Sequence, residues 1–542
     1  MEKKQADLPA TPETGESPPQ NPNGNLAIDT SAEVHDLLPV VQPLPDTTQT
    51  SCDATAPAVS SAAPINAADK FLEALPDLLK IFLGQNGKAF AELSGAGNPY
   101  VVAVGSRQLD NTIRKLARNV GIRLRKKDFL EINHILQAHA EMGTIKRDVW
   151  YRVAPIPEGI EVDLGDADHT RVRVTAGQVN IVTIGSQALF YRSAVCLPMA
   201  MPAAVGNLDS LKKYINLDHV SVMLLIAWLT YLLAHPKVPA SKFVILVLQG
   251  NQGSGKTWLC NLILMLLDPN IVGVQILPNN IQDLVVAAQN AHVLVFDNLR
   301  RLNQLTADAL CVAATGGALS ARQLYTDSDQ TVMRLHVGLV LNGLHRFVDQ
   351  ADLAQRCLPL ELRPLVDTRR KSEAELFREF QDDLPAIQRG LFDLIADIFT
   401  HLPTAKVVHP ERMIDFSTWL AALELVKGVP EGIYQAEFSQ ALNQGQLDAL
   451  LDNSLAAAVL DFTAGEGGGN WSGTPAELLA LLSERLPWGT QRARDWPQNA
   501  ISLSKRLLPL QAGLQTQGVI VEFRRGKERR ITITTAACQT GT

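Results

Sequence analysis

The feature that most constrains this 542-residue chain is a short junction near its middle. Phe243 to Leu248 is an unbroken apolar run of strand length, the pattern of a strand buried on both faces. It leads directly into Gly250-Asn251-Gln252-Gly253-Ser254-Gly255-Lys256-Thr257, and Trp258 to Leu267 then reads as a buried helix. The glycines let the backbone curl until successive N–H groups face one point, and the helix N-terminus behind them adds positive potential. Strand, G-x-x-x-x-G-K-[ST] loop and helix together predict a phosphate loop in an α/β domain. Lys256 is expected to reach the β- and γ-phosphates of ATP, and Thr257 to offer its hydroxyl to Mg²⁺. A plain Gly-rich turn is the rival reading, and the flanking strand and helix weigh against it.

A phosphate loop needs a metal-side partner. Val293 to Phe296 is a four-residue apolar strand ending in Asp297, 41 residues beyond Lys256, the arrangement of an acid that holds Mg²⁺ through its water shell. The next residue is Asn298, where a second carboxylate commonly polarises the attacking water, so the general base is left unassigned and Asn298 is a water-orienting candidate. Val337 to Leu341 is a further apolar run, tipped by Asn342 and suited to facing a γ-phosphate. Asp352-Leu-Ala-Gln-Arg356 precedes the strand-like Cys357 to Leu362, which makes Arg356 a candidate finger supplied to a neighbouring subunit's phosphates. Arg346 and Arg322 are the less favoured candidates, and a surface ion pair is the structural alternative for Arg356.

This order of parts resembles the AAA+ ATPases, and within them the superfamily 3 helicase-like proteins of phages, plasmids and integrative elements. The segments LVLQGNQGSGKT (246–257), VFDNLRRL (295–302), ATGGALSARQLYTD (314–327) and LVLNGLHRFVDQADLAQRCLPLEL (339–362) are similar to a bacterial family described as ATP-binding or primase-helicase-like. The similarity runs from about Leu208 to Gly428. It implies a motor on single-stranded or forked DNA, assembled as a homo-oligomeric, hexameric ring beside other replication proteins. It also implies a β-hairpin before the Asn-tipped strand, formed by Ala321–Tyr325 and Thr331–Met333. The tip here, Thr326-Asp-Ser-Asp329, is acidic, a departure from motors that grip DNA with a basic hairpin.

Composition changes along the chain set the expected boundaries. Residues 1–68 hold nine acidic residues against Lys3 and Lys4, ten prolines and no aromatic residue, the composition of a disordered acidic tail. A tail that docks a partner is the functional alternative to a merely solvated one. Residues 69–205 are expected to form an N-terminal α+β accessory domain. It begins with helical spacing through Phe71, Leu72, Leu75, Leu78, Leu79 and Phe82, and includes a small β-rich unit over 150–192. Eight basic residues fall within 107–127, which suits a nucleic-acid contact or a solvated helix face equally. The P-loop core is placed at 206–365, a helical domain at 366–460, and a Gly-rich linker at 461–470. In 471–542, residues up to 537 hold ten basic residues against five acids. Two helices followed by two strands around Arg524-Arg525-Gly-Lys527-Glu-Arg529-Arg530 resemble a winged helix. Its second helix, carrying Lys505 and Arg506, is expected to enter a groove of DNA while the hairpin rests on phosphates. The expected fold is therefore α/β, an AAA+ core on a parallel sheet with accessory, helical and winged-helix-like parts.

Other chemistries find little support. The six cysteines are scattered with no C-x-x-C pair, against zinc and a disulfide framework, and suggest a reducing cytoplasm. The N-terminus has no apolar stretch of a signal peptide, and the longest nearly apolar run, Val220–Ala234, is short of the roughly 20 residues of a bilayer span, so no membrane is expected. Asp163, Asp166 and Asp168 are the one carboxylate group a primase could use, and they read as a polar turn. The leading expectation is an ATP-dependent DNA helicase of a mobile element. Its rivals are an ATP-binding initiator or switch that binds DNA without unwinding it and, less favoured, a small-molecule phosphotransferase.

Overall fold

The computed structural model describes residues 67–73, 79–93, 97–322, 330–343, 347–348, 350–364, 372–465, 470–485, 496–524 and 529–535. At the centre lies a parallel four-stranded sheet in the order Val293–Leu299, Gly338–Gly343, Ile245–Gln249, Cys357–Glu361. Its strands are apolar on both faces because both faces are covered. Leu246, Leu248, Val295, Val340 and Leu358 point into one cluster, with helices His219–Ala234, Lys256–Leu267 and Glu373–His401. Ile245, Val247, Leu294, Phe296 and Leu341 point into the other, against helices Ile281–Gln289 and Gln304–Thr315. The apolar helix His219–Ala234 is buried almost throughout. Among the described residues, no single helix is long and apolar enough to cross a membrane.

The N-terminal part holds two sheets. One has five strands, with Lys80–Gly84, Ala89–Leu93 and Tyr100–Ala103 at its centre, covered by helices Arg107–Asn119 and Lys126–Met142. Helical spacing through Phe82 misreads its start. The helix ends at Glu73, and Lys80–Gly84 is a strand, because its backbone groups pair with Ala89–Glu92 in a hairpin that the local spacing does not reveal. The other sheet is a four-stranded antiparallel meander over Val153–Ile156, Gly159–Asp163, Arg171–Thr175 and Gln178–Val182. Its Val162, Val172 and Val174 enter the same core cluster as the central sheet.

The Asp163 reading also changes. Asp166 does stabilise a turn, accepting from Thr170 N at 2.8 Å, but Asp163 is a buried strand residue gripped by Arg192 through two bonds of 2.7 Å. Burial pushes the Asp163 carboxyl pKa up, and Arg192, Arg171 and Arg152 more than offset it, leaving it below its ordinary value. A carboxylate so occupied is a structural anchor.

Helices Glu373–His401, Ile414–Lys427 and Ile433–Leu451 close one side of the core. The last four-helix, three-strand unit has its own apolar cluster. Helix Ser454–Ala464 belongs to it, since Leu455, Val459 and Phe462 pack with Leu478, Leu503 and Ile531. The stretch 461–464 therefore ends a helix and does not begin a linker, because its apolar side has a partner surface far along the chain. Strand Asn470–Gly473 adds to the Arg530–Thr535 strand, giving the order Asn470–Gly473, Arg530–Thr535, Val519–Arg524.

Candidate functional site

The loop after Ile245–Gln249 adopts backbone that only its glycines adopt without strain. Gly250, Gly253 and Gly255 have φ of 143°, 78° and 89°. A Cβ on Gly250 would stand 2.7 Å from the Leu362 carbonyl oxygen, so the loop hugs the end of the neighbouring strand. Helix Lys256–Leu267 starts at once, with Gly255 as its left-handed cap. Lys256 Nζ donates to Gly250 O at 2.7 Å and Asn251 O at 2.9 Å. An ammonium has three donors, so one is left for a ligand. Burial draws the Lys256 pKa down, while Asp297 acts to raise it.

Asp297 stands across this loop. Its Oδ2 accepts from Thr257 Oγ1 at 2.9 Å and its Oδ1 from Asn342 Nδ2 at 2.6 Å. The strand carrying Asn342 lies between the strands carrying the loop and Asp297, which is why three distant segments meet. A bulge between Phe296 and Leu299 breaks the ladder where the acid must leave it. Asn298 takes φ of 60°, a left-handed conformation that asparagine tolerates better than most residues, and its side chain is exposed. Gln252, Gly253, Ser254, Gly255, Lys256, Thr257, Asp297, Asn298 and Asn342 line one open pocket of about 650 Å³. Two buried oxygens here, Ser254 Oγ and Asn342 Oδ1, have no protein partner. A spare lysine donor, a carboxylate and a hydroxyl side by side, and unsatisfied polar atoms suit a phosphorylated ligand with a hard cation.

Sequence reasoning missed two residues here. Glu373, at the start of helix Glu373–His401, lines the same pocket and is its second carboxylate among the described residues. It lies 117 positions beyond Lys256 with no motif to mark it. Asp268 ends the loop helix and is fully buried. Its Oδ1 meets Arg152 Nε at 3.0 Å, and its Oδ2 accepts from His292 N at 2.5 Å and Val293 N at 3.3 Å, the start of the Asp297 strand.

Arg356 sits elsewhere. Ile245, at the far end of the five-residue Ile245–Gln249 strand, pairs with Cys357, the residue after Arg356. At about 3.3 Å per residue, Arg356 is about 16 Å of strand from its own phosphate loop. Its Nη1 contacts Asp352 Oδ2 at 2.5 Å, and Arg412 Nη1 meets Asp352 Oδ1 at 2.6 Å. The Arg356 hydrogen bond, aided by Arg412, holds the Asp352 carboxyl down at about 2. The side chain is mostly covered, 13% exposed, so within one chain it is an ion-pair partner. Hairpin strands Gly317–Arg322 and Gln330–Leu335 pair antiparallel before the Asn342 strand. The acidic tip, Arg346 and the tail to residue 66 lie outside the described residues.

In the C-terminal unit, Lys505 and Arg506 are exposed on helix Ala500–Leu507. Arg524 and Arg530 face each other across the antiparallel pair, and Arg529 is exposed beside them. Arg525 and Lys527 lie outside the described residues. Like charges directly opposite on a ladder repel, and Glu522, 3.3 Å from Arg524, with Glu477 on the side of Arg530, offsets part of that.

Comparison with known proteins gives the chain its relatives. It is similar to the solved NrS-1 C terminal region, at 12% identity over 86% of this chain and 98% of that one, with a TM-score of 0.38. It is also similar to JCV Helicase, at 15% identity over 43% of this chain and 65% of that one, with a TM-score of 0.21. No curated protein matches in sequence. Residues 208–443 match the family described as "Actinomycete integrative conjugative element replication protein", and residues 455–541 match the "AICE RepA C-terminal domain". The two matches together span more than half of the sequence, one holding the loop, Asp297 and Asn342 and the other the basic hairpin, and the chain belongs to this family of replication proteins.

Proposed function

We propose that this replication protein is a Mg²⁺- and ATP-dependent DNA motor, a helicase of the AAA+ type within superfamily 3, hydrolysing ATP between subunits of a ring. The observation that carries the reading is Asp297 held between Thr257 and Asn342 across the loop from Lys256. Backbone N–H groups of 252–257 and Lys256 would bind the phosphates, and Thr257 with Asp297 would hold Mg²⁺. A Mg²⁺ held there would supply positive charge against the charge developing on the phosphates. Asn342 orients Asp297 through one amide N–H, and its buried Oδ1 has no protein partner. Glu373 is the carboxylate proposed to polarise the attacking water, while Asn298, uncharged, could only orient it by hydrogen bonds.

Arg356 is proposed to act on the neighbouring subunit's phosphates, since strand length separates it from its own. Asp352 and Arg412 would hold its guanidinium in one orientation. The C-terminal order of helix, strand, three helices and a hairpin among the described residues supports a winged-helix reading. A phosphate between Arg524 and Arg530 would relieve their repulsion.

A second reading has one observation in its favour. Asp297 is followed by Asn298, which suits a nucleotide-dependent switch that assembles on DNA and turns over slowly. ATP hydrolysis with and without single-stranded DNA, followed by strand displacement on a forked substrate, separates the two. Single-strand-stimulated hydrolysis with displacement is expected for the motor. DNA-dependent assembly without displacement selects the switch, and failure to bind ATP refutes both.

A further inference from the structure

The eight basic residues of 107–127 have no part in the site above. Six of them lie on two helices, Arg107–Asn119 and Lys126–Met142, that turn their apolar sides inward, and Arg123 and Arg125 lie in the turn between. Leu109, Ile113, Ala117, Phe129, Ile132 and Leu136 pack with the five-stranded sheet. The outward sides and the joining turn enclose an open cleft of about 1150 Å³, lined by Arg114, Arg118, Arg123, Lys126 and His134. All five are exposed. Arg114 and Arg118 lie one turn apart, about 6 Å along the helix.

A solvated basic face ordinarily carries acids at neighbouring positions that pair with its cations. Here the charges are left uncompensated. Among the described residues, none of Arg114, Lys115, Arg118, Arg123, Lys126 and Lys127 forms an ion pair. The one carboxylate lining the cleft, Asp110, accepts from Asn133 Nδ2 at 2.8 Å. The nearby Asp128 is buried and accepts from Arg125 N at 2.6 Å. Arg114 is also fixed in place, its guanidinium 4.6 Å from the Phe129 ring centroid. Arginine-rich and concave, with Arg114, Arg118, Arg123 and Lys126 against the single carboxylate of Asp110, the cleft is preorganised for a chain of anions.

We infer that this cleft binds the phosphate backbone of a DNA strand, a second nucleic-acid contact distinct from the basic C-terminal unit and independent of the ATP site. Concavity decides the occupant. Charges facing into a cleft reach a threaded strand and are held back from a flat bilayer. His134 is the one aromatic side chain exposed in the lining, so there is little for bases to stack on and the contact is chiefly to phosphates and weakly sensitive to sequence.

The test uses the full chain carrying Arg118→Gln, Arg123→Gln and Lys126→Gln together. Arg114 is kept because it covers Phe129. Binding to a labelled 30-nucleotide single strand and to a duplex is titrated at salt between 50 and 200 mM. Loss of three phosphate contacts on a single strand lowers the slope of log K against log salt by about 2, and affinity at the low-salt end falls about tenfold or more. Arg118→Lys with Arg123→Lys is expected to retain the wild-type slope. Wild-type affinity and slope in the triple variant would overturn the inference while leaving the C-terminal contact and the ATP site standing. So would a variant that loses binding only to phosphatidylglycerol vesicles. Acetylation of Lys126 and Lys127 in the unmodified chain gives a readout free of folding effects. Protection by DNA is expected, and equal reactivity with and without DNA counts against the cleft.

Discussion

Replacing Asp268 tests whether the loop helix and the Asp297 strand are fixed to each other by one buried carboxylate. Asp268 is 0% exposed and its partner Arg152 is 3% exposed. Asp268→Ala strips the guanidinium of its counter-charge and leaves the His292 and Val293 N–H groups without an acceptor. Arg152 keeps carbonyl contacts to Asp163 at 3.1 Å and Leu197 at 3.2 Å, so part of its solvation survives. Breaking a buried pair from one side costs about 3–5 kcal/mol, about a fifth or more of the roughly 5–15 kcal/mol that holds a domain folded. Asp268→Asn should cost less than Asp268→Ala, because an amide oxygen can still accept from the two backbone groups. Urea unfolding followed by tryptophan fluorescence reads the change as a midpoint shift at constant slope. In a double-mutant cycle, Arg152→Met with Asp268→Asn removes both charges and should fall short of the summed single losses by about 2 kcal/mol or more. Additive losses, or an Asp268→Ala cost below about 1 kcal/mol, would show that the pair does not hold these elements together.

Other expectations follow from the same geometry. Lys256→Ala and Asp297→Ala should each abolish ATP hydrolysis, measured as phosphate release, with melting temperature little changed. Arg356→Ala should abolish hydrolysis and spare nucleotide binding, and mixing it with Lys256→Ala subunits should restore part of the activity, since some interfaces then carry both intact residues. No recovery on mixing would remove Arg356 from the neighbour's site. Glu373→Gln should lower kcat by about 10²-fold or more, in line with general-base roles, with KM nearly unchanged; an unaltered kcat excludes it. Burial drives the pKa values of His235, His292 and His336 down to about 4, 3 and 4. The unfolded chain takes up these protons near pH 6.5 and the folded chain does not, so stability is full above 6.5 and falls toward pH 4, by ~2 kcal/mol per histidine at pH 5. A urea midpoint unchanged between pH 7.5 and 5 contradicts this.

What could be read in advance was local. The strand, loop and helix around Gly250–Thr257 announce themselves because all their determinants sit within 25 residues: an apolar run, glycines where φ must be positive, and a lysine at the helix start. Asp297 and Asn342 were legible because each ends an apolar run of strand length. Lys80–Gly84 was not, since its identity as a strand depends on pairing with Ala89–Glu92. Helix Ser454–Ala464 crosses the boundary expected at 460 for a similar reason, as its apolar side is matched by Leu503 and Ile531, far along the chain. Glu373 and Asp268 carry no local signature at all. A carboxylate becomes functional or structural through what long-range packing puts beside it, and sequence spacing carries no record of that.

The same long-range packing bears on how the N-terminal part relates to the site. Composition suggests a junction near residue 205, as though an accessory domain hung on a linker. Three kinds of contact oppose an independent hinge there. The meander's Val162, Val172 and Val174 are buried in the cluster that also holds the central sheet. Backbone bonds run from Gly177 N to Ala396 O at 2.9 Å and from Asn207 N to Ala386 O at 2.8 Å, tying both sides to the long helix Glu373–His401. Arg152, itself in a left-handed conformation at φ 62°, reaches Asp268 at the end of the loop helix. Opening such a junction would expose apolar core and an ion pair at once, at a cost of many kcal/mol. The meander therefore moves with the central sheet. The loop helix and the Asp297 strand are tied to the N-terminal part through Arg152 and through backbone bonds from Leu197 N to Pro269 O and from Ile271 N to Val195 O, both at 2.9 Å.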